Sequence, residues 1–334
     1  MDDKQKNILL LALAPIFIGV IFLWSEVYFS LVLDSNKIVD FTVQNGEGAK
    51  QISIALKEQG LIRRSSIFRT YTLFRGISKK LQAGQYELSP SMSIAVIANK
   101  ISKGDVIREK IVIIEGWDLK DIGQYFEDNG ISTQEEFSEL IKKDFSQGIS
   151  SLEDKPKGLS FEGYLFPDTY EVIPGTSAEN IIRKILSNFD QKLTPGLREE
   201  ISRQKKSIFE IITMASLIEK EVKTLEDKKD VSGVLWKRIK IGMPLQVDAT
   251  VVYITGRKSV GVSAEEKLTD SPYNTYMHYG LPIAPISNPG LDSIIAAIYP
   301  NENDFLYYLS TPTGETIFSK TFEEHNNNID KYLR

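Results

Sequence analysis

The sequence predicts an α+β chain in three parts: an N-terminal transmembrane helix, a small α/β module and a larger mixed α+β domain. Three observations predict it. A charge-free apolar run stands near the N-terminus, strand and helix patterns alternate in short units over residues 38–108, and from 109 to 334 short strands are separated by longer amphipathic helices. No internal repeat or low-complexity linker interrupts the order.

The first element is the run Ile8–Trp24, which carries no charge. Crossing the hydrocarbon core takes roughly 20 apolar residues, with about 17 near the lower limit. Val27, Tyr28, Phe29 and Leu31–Leu33 extend the run beyond Ser25 and Glu26, Trp24 and Tyr28 suit a membrane interface, and Pro15 is tolerated in a membrane helix. A cleaved signal peptide and a buried N-terminal helix compete with this reading, but no small-x-small cleavage site follows. Lys4 and Lys6 precede the span, whereas Glu26 and Asp34 follow it before Lys37. The bias in basic residues places 1–7 in the cytoplasm, 8–33 as a single-pass anchor in the cell (inner) membrane, and the remainder outside the cytoplasm.

Composition narrows the chemistry. The 334 residues carry a formal charge of −5, with a pI near 5.4, which argues against a nucleic-acid partner. The absence of Cys excludes disulfides, thiolate metal sites and a cysteine nucleophile, and 2 His exclude a histidine-rich centre. No metal and no cofactor is expected. Phosphate loops, dinucleotide fingerprints, His-Glu-x-x-His and Gly-x-Ser-x-Gly are all missing, so carboxylates and amides are left to carry the reaction.

Residues 38–108 read as strand, two helices, strand, helix. Val39–Val43 alternates as a strand and Asn45–Gly48 turns the chain; Ile52, Ala55 and Leu56 mark a helix that stops at Gly60. Ser65-Ser66 caps a second helix, Gly84–Leu88 is a strand, and Ser91-Met92-Ser93 opens a helix carrying Ile94, Ile97, Ala98 and Ile101. This βααβα order resembles LysM modules, which grip amino-sugar polymers; a spacer is the alternative reading.

In the larger domain, Lys110–Ile114 is a strand and Glu115–Asp118 a turn into a helix through Ile122, Tyr125 and Phe126. Gly158–Tyr170, dense in aromatics, glycine and acids, reads as a cleft-lining loop, and one helix is expected from Ala178 to about Glu200. The sharpest element is the helix Ser207–Val222. At 100° per residue, Glu219 falls within about 20–60° of Ile208, Ile212, Ala215, Ser216 and Val222, while Glu221 is turned about 200° away toward the wet side. On an apolar stripe, desolvation disfavours the charged form of Glu219 and suits it to general-acid work. The alternative is a structural glutamate paired with a Lys or Arg. Rigid polar loops follow at Gly242–Tyr253, Ser271–Tyr276 and Gly280–Gly290, with residue types that hydrogen-bond sugars; turn chemistry explains many of the same residues.

The segments Glu162–Tyr170 (EGYLFPDTY), Ala215–Glu221 (ASLIEKE), Gly242–Tyr253, Ser271–Tyr276 (SPYNTY), Ser287–Gly290 (SNPG) and Phe318–Asn326 (FSKTFEEHN) occur in an order and spacing that resemble the membrane-anchored endolytic murein transglycosylases, the MltG or YceG-like family. The resemblance implies a catalytic domain over 109–334 that acts on peptidoglycan glycan strands, beside peptidoglycan synthases, with Glu219 as catalytic residue. Glu162, Tyr164, Gln246, Asp248, Asn274, Tyr276, Ser287 and Asn288 are the expected substrate-binding residues. It further implies cleavage of the MurNAc–GlcNAc bond without water, leaving 1,6-anhydro ends and limiting strand elongation. Val247-Asp248-Ala249 departs from the family's Ser-Asp-Pro, and Ile283-Ala284 from its Pro-Gly. Two alternatives stand beside this reading: a glycoside hydrolase pairing Glu219 with Asp248 or Glu162, and a non-catalytic wall-binding or division scaffold.

Overall fold

The computed structural model describes residues 3–32, 36–257 and 261–333, with the side chains of residues 3–12 and of Ile16 outside the description. The chain divides into two compact units, one formed by residues 1–110 and 171–175, the other by 111–170 and 176–334. Helices dominate, and the strands form three two-stranded sheets, β1–β2, β3–β4 and β5–β6.

The first unit holds helix α1 (Asp3–Tyr28), strand β1 (Val39–Val43), helices α2 (Ala49–Glu58) and α3 (Ser65–Phe74), strand β2 (Gly84–Leu88) and helix α4 (Ile94–Lys103). The expected strand–helix–helix–strand–helix order is present. Strands β1 and β2 pair antiparallel with Phe41 opposite Tyr86. Period-two alternation sends Phe41, Val43, Tyr86 and Leu88 to one face, where Ile52, Leu56, Phe68, Ile97 and Ile101 complete a dry core. Ser93 caps α4 by accepting from the Val96 N–H, and Gly104 ends it at φ 67°.

Among the described residues, no helix is long and apolar enough to cross a membrane. The expected span Ile8–Trp24 falls in α1, but the side chains of Ile8–Ala12 and Ile16 lie outside the description, as do Leu33 and Asp34. From Leu13 to Trp24 the large apolar side chains that are described stand exposed, Phe17 by 67%. Val27 instead joins the core of the unit.

The second unit begins within strand β3 (Glu109–Val112) and continues through helices α5 (Leu119–Asp128) and α6 (Gln134–Leu140), strand β4 (Thr169–Val172), helices α7 (Ala178–Lys192), α8 (Pro195–Arg203), α9 (Ile208–Glu221), α10 (Leu225–Lys240), α11 (Asp248–Thr255) and α12 (Leu291–Ile298). Strands β5 (Tyr307–Ser310) and β6 (Thr316–Ser319) and helix α13 (Phe322–Tyr332) complete it. The single helix expected from Ala178 to Glu200 is two helices. Pro195 disfavours helical backbone at the residue before it, so the chain breaks at Leu193-Thr194, and Thr194 caps α8 by accepting from the Leu197 N–H.

Helix α9 is the centre of this unit, packed against α8, α10, α11 and α12. Eight consecutive residues, Ile211–Ile218, are buried. Its start is fixed by a capping box: Ser207 Oγ accepts from the Glu210 N–H and Glu210 Oε2 from the Ser207 N–H.

The segment expected to line a cleft is instead buried from Phe161 to Pro167 and braces α9. The cause is its aromatic content: Phe161 packs on Phe145, and Tyr164 on Phe189. Gly163 makes the brace close. Its φ is +88°, and a Cβ there would lie 2.7 Å from both Ile212 Cγ2 and Pro285 Cβ.

Gly163→Ala therefore combines a left-handed alanine with a core clash, and is expected to lower stability by about 2–4 kcal/mol in urea unfolding. Gly242→Ala, at φ +69° with open space around it, should cost about 1–2 kcal/mol. Equal midpoints for the two variants would show that the brace is not close-packed.

Candidate active site

Glu219 lies in the last turn of α9, and its side chain is 8% exposed. Its surroundings differ from the apolar stripe that helical periodicity implies. Lys228, from α10 and itself 4% exposed, reaches both carboxyl oxygens at 3.2 Å. Oε2 also accepts from the Gly290 N–H at 2.9 Å and from Ser293 Oγ at 2.6 Å, at the start of α12. Oε1 accepts from Lys228, and no other donor to it is seen among the described residues. Three donors on one oxygen fix the carboxyl plane and leave the other oxygen lone-pair capacity for a fourth group. Of the two readings the sequence set against each other, the structure shows the ion pair, with Lys228 as the partner.

The last residues of α9 do not divide into a dry and a wet glutamate. Glu221, expected on the solvent side, is half-buried and hydrogen-bonded to Tyr308 of β5. Burial pushes its carboxyl up to about 7, opposed by the Tyr308 hydrogen bond. Arg238, buried beside this group, donates to the Leu245 and Leu306 carbonyls at 2.6 and 2.7 Å. A helical wheel sees one helix, whereas Tyr308 reaches Glu221 from β5.

The expected substrate-binding residues fall into two sets. Glu162, Tyr164, Asn274, Ser287 and Asn288 are buried, at 2% exposure or less. Asn288 is a hub: its Oδ1 accepts from the Leu165 N–H at 2.8 Å, and its Nδ2 donates to the Trp117 carbonyl at 2.9 Å and to Glu162 Oε1 at 3.1 Å. Glu162 Oε2 accepts from the Leu119 N–H and the Tyr253 hydroxyl. Asn274 donates to the Lys267 and Thr269 carbonyls, and Ser287 Oγ to the Ser216 carbonyl on α9. Tyr164 is wholly enclosed, and its hydroxyl has no partner among the described residues. As placed, these groups build the frame, because their polar atoms face the interior.

Gln246, Asp248 and Tyr276 form the accessible set at the start of α11. Gln246 is exposed at φ 53°, and the Asp248 side chain is 49% exposed. The Tyr276 hydroxyl donates to Asp248 Oδ1, with Lys267 Nζ 3.5 Å from the same oxygen and 4.6 Å from the Tyr276 ring.

Three residues close to Glu219, namely Lys228, Ser293 and Glu115, escape sequence reasoning. Lys228 gives no periodic cue, because it reaches Glu219 from the next helix. Glu115 sits in the Glu115–Asp118 turn, whose glycine and acid read as ordinary turn chemistry; the turn is held by Gly116 N–H to the Asn288 carbonyl at 2.9 Å and by Lys220 Nζ to the Gly116 carbonyl at 3.1 Å. No group of acids and histidines that could hold a metal ion occurs among the described residues.

A helical unit that clamps one glutamate, Glu219, between α9, α10 and α12 defines a carboxylate-centred protein. Residues 41–331 match the YceG-like family, and the chain belongs to it. It is 33% identical over 312 residues to a Bacillus subtilis (strain 168) protein named endolytic murein transglycosylase, covering 90% of this chain and 86% of that one. A Streptococcus pneumoniae (strain D39) protein of the same name is 30% identical over 328 residues, covering 90% of this chain and 59% of its own. Among solved structures, a yceG-like protein of Listeria monocytogenes superposes with a TM-score of 0.60 at 34% identity, over 88% of this chain and 99% of that one.

The buried Glu162 makes a prediction about pH. Burial raises its carboxyl from 4.5 to about 8. Its neutral form thus stabilises the fold below about pH 4.5, and that contribution is lost as pH rises toward 8. Glu162→Gln keeps the shape and removes the titration. Its melting temperature should fall less than the wild type's between pH 5 and 8, and parallel curves would refute the assignment.

Proposed function

We propose that the chain is an endolytic peptidoglycan lytic transglycosylase, with Glu219 as its single acid and base. The observation that carries this is the clamped carboxyl: Oε2 held by Gly290, Ser293 and Lys228, with Oε1 left to exchange a proton. Its membership of a family with relatives named for this activity supports it.

In this reading Glu219, protonated on Oε1, gives its proton to the oxygen joining MurNAc C1 to GlcNAc C4. The C1–O bond breaks and the GlcNAc 4-hydroxyl leaves. The Glu219 carboxylate, now stabilised by Lys228, takes the proton of the muramoyl C6 hydroxyl as that oxygen bonds to C1. A 1,6-anhydro end forms, no water is consumed, and the glutamate returns to its starting state. One carboxyl does both steps. Gln246, Asp248 and Tyr276 are proposed to contact the glycan, and the buried Glu162, Tyr164, Asn274, Ser287 and Asn288 to hold the loops that shape its groove.

The same proposal assigns 109–334 to catalysis, 38–108 to a LysM-like glycan-placing module, and 8–33 to a single-pass anchor that holds the enzyme outside the cytoplasm beside the synthases. The charge-free run Ile8–Trp24 and the exposed apolar side chains of α1 support the anchor. A reporter fused to the C-terminus is expected to be active only outside the cytoplasm; protease protection of that end in spheroplasts would overturn the orientation.

The decisive test is Glu219→Gln with digestion of purified sacculi and mass analysis of the ends. Loss of the acid should cost about 10²–10⁴ in rate. The substitution also leaves the buried Lys228 unpaired, at a cost of about 3–5 kcal/mol. Glu219→Gln/Lys228→Met should regain stability without regaining activity, while Glu226→Gln, whose side chain is 73% exposed, serves as the control. Wild-type ends lighter by one water than hydrolytic ends support the transglycosylase. Reducing ends would establish hydrolysis, and a folded Glu219→Gln enzyme of wild-type rate would remove the acid assignment.

A further inference from the structure

Glu115 is an exposed residue, yet its carboxyl leans over Gly290, the residue whose N–H is bound to Glu219. The approach is close: a Cβ on Gly290 would collide with Glu115 Oε1 and Cδ. The backbone does not demand glycine there, since its φ is −71°, a conformation any residue adopts. An added Cβ would instead meet the end of the Glu115 side chain, which would have to move aside. Gly290 thus serves two carboxyls at once, its N–H toward Glu219 and its bare Cα toward Glu115.

The turn that carries Glu115 is fixed on both sides of the site. Asn288 donates its N–H to the Trp117 carbonyl at 2.8 Å and accepts from the Gly116 N–H at 2.9 Å, and Lys220 of α9 holds the Gly116 carbonyl. Besides Glu219, the charged groups facing Glu115 are Lys228 from α10 and Asp292 from α12, while Lys220 of α9 lies against the neighbouring Gly116.

An acid catalyst must hold a proton, and Lys228 by itself works against this, because an opposite charge within a few ångströms favours the carboxylate. A like charge across Gly290 works the other way. We propose that Glu115 is a positioning residue acting through Glu219, its negative charge offsetting Lys228 so that Glu219 keeps a proton when the glycosidic bond breaks. This rests on the transglycosylase reading. Partial burial, then the charge of Glu219, pushes the Glu115 carboxyl upward, while Lys228 pulls it down. The two carboxyls approach the same residue, Gly290, so a pH–rate profile is the measurement that reads the effect of one on the other.

The experiment is the pH dependence of kcat and KM for the full chain on soluble glycan strands, comparing wild type with Glu115→Gln, Glu115→Asp and Gly290→Ala. Glu115→Gln is expected to move the alkaline limb of kcat down by about one pH unit, and to lower kcat about tenfold at pH values above the new limb, with KM little changed. Glu115→Asp, which keeps the charge, should restore much of the limb. Gly290→Ala keeps the N–H to Glu219 but displaces Glu115, so it should reproduce the shift, and combining it with Glu115→Gln should add little more. Melting curves establish that each variant is folded, and should Glu115→Gln fail that check, Gly290→Ala carries the test.

A Glu115→Gln profile that superimposes on wild type would overturn the proposal, as would a uniform fall in rate without a shift. Reducing ends from wild type that vanish in Glu115→Gln would make Glu115 a base for water and also overturn it. Failure of the underlying reading is separate: there Glu219→Gln itself retains activity. An inactive Glu219→Gln enzyme beside an unshifted Glu115→Gln profile would sink the pairing alone.

Discussion

The candidate site depends on one buried amide. Asn288 has its side chain wholly inside the second unit, and its polar atoms join three segments far apart in sequence: the Trp117 turn, the Glu162–Leu165 segment and the Pro289-Gly290 entry to α12. An amide suits this place because it offers two donors and an acceptor in one plane. With Asn288 seated, Gly290 and Ser293 face Glu219, and Glu115 is set against Gly290. The geometry of the carboxyl is a consequence of how a neighbouring loop is satisfied.

Around that hub the second unit tolerates unusual acidity. Glu162 and Glu221 have their carboxyls pushed up to about 8 and about 7 by burial. Glu219 is enclosed with a lysine that is itself buried. Buried charge is weak evidence for stability, since desolvation offsets much of the attraction. Such groups are better understood as fixing one arrangement of α9, α10 and α12, because each alternative packing would leave a donor or acid without a partner. Glu219 is thus held from three helices, while the exposed Gln246 and Asp248 and the half-buried Tyr276 lie on loops and at the start of a short helix.

Local structure was largely legible. The order of strands and helices in residues 38–108 and the position of Glu219 near the end of α9 follow from hydrophobic periodicity and turn residues. The aromatic segment Phe161–Pro167 was misjudged because irregular backbone rich in glycine and acids looks like surface loop. Here its aromatic rings bury it, with the backbone polar groups of Leu165 and the carboxyl of Glu162 satisfied by Asn288.

The sequence by itself determined the family, through motif order, and singled out Glu219 on the apolar stripe of its helix. Those are properties of residues near one another in the chain. Only the tertiary structure decided what faces that glutamate: Lys228 from a second helix, Gly290 and Ser293 from a third, and Glu115 from a turn about a hundred positions earlier in the sequence. It also decided that Glu221 is covered by Tyr308 instead of water. The physical reason is that a carboxyl's charge state is set by everything within a few ångströms of it, and a helical wheel contains only the helix.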